Sequence, residues 1–185
     1  MDISIISASV RQGRNSHRVA LFFQKFLAEH YHAAITIHDL NELNFPLFDE
    51  RLRFQQNPLP EVKVFSSQIH ASDGVVIVTP EYNGGYPASL KNVIDLLYDE
   101  WHRKPVAIVT VSDGVFGGMQ VITSLQYVLW KIRAFTVPAM FPVPSVLEQF
   151  TEDGTPMNPE SIKRRAQKFC DELVWCINAV RKMKS

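Results

Sequence analysis

Residues 79–91, TPEYNGGYPASLK, join two segments of opposite chemistry. Upstream, residues 74–78 read GVVIV, a continuous β-branched run of the kind carried by a parallel strand buried on both faces. Downstream, Leu90, Val93, Ile94 and Leu97 recur at helical spacing, and Pro87 suits a first helical turn, where its missing N–H costs nothing. Between strand and helix lie paired glycines, a carboxylate, a phenol and an amide, more polar and conformational variety than a bare connector needs. In an open α/β sheet, ligands bind beyond the carboxyl ends of the strands, so this loop is expected at a binding edge.

The same alternation extends outward in both directions. Residues 3–7, 34–38, 105–111 and 135–141 read as further strands, the last demoted to an edge by Pro138. Helices are expected over about 16–31, 60–71 and 87–100, along the stripe Val121, Ile122, Leu125, Val128, Leu129 and Ile132, and from Pro159 onward. The connections 40–59 and 142–158 are irregular, and the first is long enough to cover something. Five strand and helix pairs without a repeat or linker imply one α/β domain over residues 1–185, a five-stranded parallel sheet with helices on both faces. A dinucleotide-binding sheet expects six strands and G-x-G-x-x-G after the first; that turn and the P-loop pattern are both absent. Five strands favour the flavodoxin-like order 2-1-3-4-5, in which strands 1, 3 and 4 are neighbours and their loops converge on one crevice.

Composition narrows the partners. The chain is 46% hydrophobic and 21% charged, ordinary for a globular protein, and balances 19 Lys plus Arg against 19 Asp plus Glu. Zero net charge argues against nucleic acid. No apolar run is long enough to span a bilayer, and Met1-Asp2 leads into a strand with no basic n-region, so the expected location is cytoplasmic, away from membrane. Cys170 and Cys176 are six residues apart on a predicted helix, about 600° around it, and point to different faces. Neither a disulfide nor a metal pair is expected of them.

The three loops of the crevice share an unusual chemistry. The first, residues 8–17, combines Ser9, Arg11, Arg14, Ser16 and His17 with Gly13 and a helix start, an arrangement suited to a phosphate monoester. The alternative is that Ser16 is merely a cap and the arginines and His17 are solvated. In the second loop, Gly84 and Gly85 allow backbone near a flat ligand, Tyr82 can stack, Asn83 can hold the turn, and Glu81 orders the loop rather than acting as a base. The third, SDGVFGG over residues 112–118, offers the Ser112 hydroxyl and glycines that either admit a ring system or serve only a tight turn. A phosphorylated, planar, hydrogen-bonding ligand such as FMN meets all three requirements.

Read in order, SVRQGR, TPEYNGGYPASLKNVID and SDGVFGG resemble the NADPH-dependent FMN reductase family, which includes quinone, azo-dye and chromate reductases. The resemblance runs to about Val143, and its middle motif is the specific one. The family's usual G-S-x-R stands here as Ala8-Ser9-Val10-Arg11. By resemblance, Ser9, Arg11 and Ser16 hold the FMN phosphate, with Arg14 or His17 as further candidates. Pro80, Glu81, Tyr82 and Asn83 line the isoalloxazine on one side, with Ser112, Gly114 and Gly117 on the other. The resemblance also implies NADPH or NADH as co-substrate and a ping-pong cycle in which the acceptor replaces the nicotinamide; no catalytic side chain is named, since flavin carries the chemistry. It further implies a homodimer, for which Tyr98, Trp101 and Trp130 are candidate surface aromatics unless they belong to the core. Two rivals remain, a flavodoxin-type electron carrier and a non-enzymatic ligand-binding protein; a carrier usually needs a strongly acidic surface, and zero net charge weakens that reading.

Overall fold

The structure is a computed structural model that describes residues 1–184; Ser185, included in the expected domain, lies outside the described residues. Five strands, β1 (Asp2–Ser7), β2 (Ala34–Asp39), β3 (Gly74–Pro80), β4 (Pro105–Val111) and β5 (Phe135–Val143), form one sheet in the order β2-β1-β3-β4-β5, every neighbouring pair parallel. This is the expected order. The longer helices are α1 (Ser16–Tyr31), α3 (Pro60–Ala71), α4 (Ala88–Leu96), α5 (Gln120–Lys131) and α7 (Pro159–Lys184), with short turns of helix at α2 (Leu40–Leu43) and α6 (Val146–Gln149).

Strand alternation builds two cores. Val76 and Val78 of β3 face α1 and α7, where Phe22, Phe23, Phe26, Phe141, Phe150 and Phe169 pack with neighbouring ring centroids near 5 Å, as in the 5.0 Å edge-on pair Phe23–Phe141. Val75 and Ile77 face the opposite way, onto Phe65 of α3, Leu90 and Ile94 of α4 and Leu125 and Leu129 of α5. Both faces of β3 and β4 are therefore covered, which is why their sequences are continuous apolar runs.

Three expectations need correction. The helix expected over 87–100 ends at Leu96, because Trp101 folds back through a 3-10 turn and its indole N–H donates to Ile94 O at 3.2 Å. Trp101 is 0% exposed and belongs to the core, while Trp130 on α5 is 68% exposed. The last strand continues past residue 141 to Val143 and is irregular: Thr136 pairs with Val106, but the next partner of Ile108 is Met140, so the Val137-Pro138-Ala139 segment bulges on the sheet edge where Pro138 costs no ladder bond. The 40–59 connection holds α2 and a 3-10 turn at Leu52–Phe54, and Asn92 of α4 clips it, accepting from Phe48 N at 2.6 Å and donating to Pro46 O at 2.9 Å.

Candidate functional site

The carboxyl ends of β1, β3 and β4 deliver three loops to one edge of the sheet. Between them lies a cavity of about 320 Å³ lined by Ser9, Arg11, Ser16, Pro80, Glu81, Tyr82, Ser112 and Gly114, among others. Topology alone dictates this meeting, since β1 and β4 flank β3.

The first loop leads into a helix start that has no side-chain cap. Asn15 precedes α1 without a side-chain capping bond, and no acidic residue occupies the first turn. Ser16 is buried, and its Oγ has no hydrogen-bond partner in the protein; with Thr110 Oγ1 it is one of two such buried side-chain atoms among the described residues. Free N–H groups, the helix dipole and an unpaired hydroxyl together favour a phosphate. Arg11 is exposed at the cavity mouth, and its guanidinium makes no hydrogen bond or ion pair among the described residues.

Ser9 ties the first loop to the second. Its hydroxyl lies 2.6 Å from Tyr82 Oη and accepts a long 3.4 Å bond from Arg11 N. The second loop is a miniature hairpin: Tyr82 N donates to Gly85 O at 2.8 Å and Gly85 N to Tyr82 O at 3.0 Å. Asn83 and Gly84 have φ of 52° and 79°, positive at both central positions as a type I′ turn requires. The third loop is laced to the end of β5 and the segment after it: Ser112 N donates to Val143 O at 3.0 Å, Val146 N to Ser112 O at 3.2 Å and Ser145 N to Gly114 O at 3.3 Å.

Nine of the expected site residues, Arg14 among them, line the cavity, and three stand elsewhere. Asn83 occupies the exposed turn tip. Gly117, at φ 62°, is buried where a Cβ would press on Pro142 at 3.0 Å and on the Val143 and Pro144 backbone, so close packing explains that glycine. His17 points away from the lining: its Nδ1 is 3.0 Å from Ser7 Oγ and 3.6 Å from Asp39 Oδ2, and burial pushes its pKa down while Asp39 pulls the other way. Sequence reasoning missed Val146, delivered to the lining by α6, and Asp39, which grips Arg14. Asp39 closes β2, but nothing in the sequence paired it with an arginine upstream.

The profile of the NADPH-dependent FMN reductase family matches residues 1–148. The chain belongs to this family. An NAD(P)H-dependent FMN reductase of Saccharomyces cerevisiae is 36% identical over 146 residues, covering 72% of this chain and 75% of its own. The quinone reductase of Escherichia coli is 34% identical over 140 residues, 73% of this chain and 70% of its own. Among solved structures, the flavoenzyme NAD(P)H:(acceptor) oxidoreductase of Paracoccus denitrificans superposes with a TM-score of 0.73 at 25% identity, covering 95% of this chain and 96% of that one. A flavodoxin mutant from Pseudomonas aeruginosa, at 18% identity and a TM-score of 0.59, shares the fold alone. The family match and these relatives place the chain among oxidoreductases. The electron-carrier alternative is not favoured.

Proposed function

We propose that the three-loop cavity binds FMN and that the chain is an NAD(P)H-dependent FMN reductase serving small electron acceptors. The observation that carries this reading is the buried, unpartnered Ser16 Oγ on an uncapped helix start, a donor set that matches a phosphate monoester. Ser16 and the first-turn N–H groups would take the phosphate, with Arg11 supplying positive charge and Ser9 bracing the loop through Tyr82. Pro80, Glu81 and Tyr82 would stand along one side of the ring system, and Ser112 and Gly114 along the other. His17, Asn83 and Gly117 act from outside the lining, as supports of loop shape. Bound FMN would supply the redox chemistry, taking reducing equivalents from NADPH or NADH and passing them to the acceptor. The side chains bind, orient and shield; none is assigned a proton-transfer role.

Quinone and azo compounds are the acceptor classes to try first, since relatives carry the names quinone reductase and NADPH azoreductase. The exposed Tyr127 and Trp130 of α5, with Met119 just before it, support a homodimer through that helix, which sedimentation would test. Among the described residues no helix is long and apolar enough to cross a membrane, and two free cysteines suit a reducing compartment, so we read the protein as cytoplasmic. Purified protein given FMN, a quinone and NADPH or NADH should oxidise the nicotinamide without an added reductase. No turnover with FMN bound would overturn the enzyme reading.

A further inference from the structure

The first loop carries a second cation whose placement is not left to chance. Arg14 lines the cavity, yet its guanidinium grips Asp39 at the end of β2 with both terminal nitrogens, Nη1 on Oδ1 and Nη2 on Oδ2, the latter at 2.5 Å. Nη1 also donates to Ser9 O at 3.4 Å. Asp39 is itself immobilised. It is 5% exposed, and its Oδ1 accepts from Asn41 N at 3.0 Å as the cap of α2. It does not line the cavity.

A guanidinium has five N–H donors in one rigid plane, and a carboxylate gripping it two-pronged fixes that plane. Asp39 and Ser9 O together occupy three of the five in this structure, leaving the Nε–H and one Nη2–H without a protein partner among the described residues. A long side chain with no such anchor would surrender rotamer entropy on binding an anion; here that loss is already met in the fold. The Ser9 hydroxyl, by contrast, is engaged by Tyr82.

We infer that Asp39 is a positioning residue, which holds Arg14 in the cavity wall so that the remaining guanidinium N–H groups meet the phosphate of the bound flavin. This rests on the FMN reading above. The opposing effect is electrostatic, because the Asp39 charge repels a phosphate dianion. If repulsion dominated, removing the carboxylate would tighten FMN; if positioning dominates, it loosens FMN.

The test is titration of the full chain with FMN and, separately, with riboflavin, which lacks the phosphate, following flavin fluorescence. In Asp39→Asn the preference for FMN over riboflavin should fall about tenfold, the scale of a charge-assisted hydrogen bond, while riboflavin affinity stays within about twofold of wild type. Arg14→Gln should lose as much, and the double variant no more than Arg14→Gln alone. A preference that is unchanged or raised in Asp39→Asn overturns the inference. Should Asp39→Asn fail to fold, Arg14→Lys leaves the α2 cap and the positive charge intact but cannot be gripped through two nitrogens: a preference lost as in Arg14→Gln supports the inference, and a preference kept at the wild-type level overturns it. A wild-type chain that binds neither flavin would instead overturn the FMN reading itself, and the inference with it.

Discussion

A hydroxyl buried without a partner costs on the order of 1–3 kcal/mol of desolvation unless a ligand supplies the missing bond. Ser16 Oγ is in that condition, and it does not cap α1. Ser16→Ala should therefore leave the flavin-free protein at least as stable in a thermal melt, while weakening FMN by about fivefold to twentyfold. A variant less stable without flavin and unchanged in FMN affinity would show the hydroxyl to be structural. His38 behaves differently. Its Nε2 lies 3.0 Å from Ser4 Oγ in the core, its ring stands edge-on to Phe65, and burial lowers its pKa from 6.5 to about 4. The unfolded chain then takes up a proton that the native state refuses, so stability is whole above pH 6.5 and falls as pH drops towards 4, by on the order of 3 kcal/mol in all. Denaturant melts between pH 4.5 and 7.5, about the range of the shift, should show a steeper loss in the wild type than in His38→Gln. At this scale the cavity-lining residues Ser9, Arg11 and Ser16 were legible in sequence because short hydroxyls and guanidinium groups cluster before a helix. The Arg14–Asp39 grip was not, since it spans 25 positions and depends on how β2 lies beside β1.

Between residue and fold, the loop after β3 acts as a unit. Its hairpin needs positive φ at Asn83 and Gly84, and it presents Tyr82 to Ser9. A β-branched residue at Gly84 would oppose that backbone at about 1–2 kcal/mol. Gly84→Val should lower the melting temperature by a few degrees and reduce FMN affinity severalfold, because the Tyr82–Ser9 bridge shifts with the turn. Fluorescence titration and a thermal melt on one preparation would check both; intact FMN affinity would separate the hairpin from the site. The paired glycines made this loop conspicuous in the sequence. The end of α4 was less legible: apolar spacing continues through Leu97 and Trp101, but the tryptophan returns to the core instead of extending the helix. Helical periodicity records which residues are buried, not whether the chain turns back to bury them.

Across the whole molecule, the sheet order was the most legible feature, because buried runs in β3 and β4 demand cover on both faces and five strands select one order. That order brings β1, β3 and β4 together and makes one cavity from three separate loops. The short helix α6 escaped notice because it lies in a proline-bearing connection and enters the lining only through Val146. The central claim is that this cavity holds FMN in reach of a nicotinamide. The most direct measurement is the visible absorption spectrum of the full chain after addition of FMN and removal of excess, followed under anaerobic conditions by NADPH and then a quinone. Retained flavin bands that bleach with NADPH and return with the quinone are expected. A colourless protein, or retained flavin that NADPH does not bleach, would contradict it.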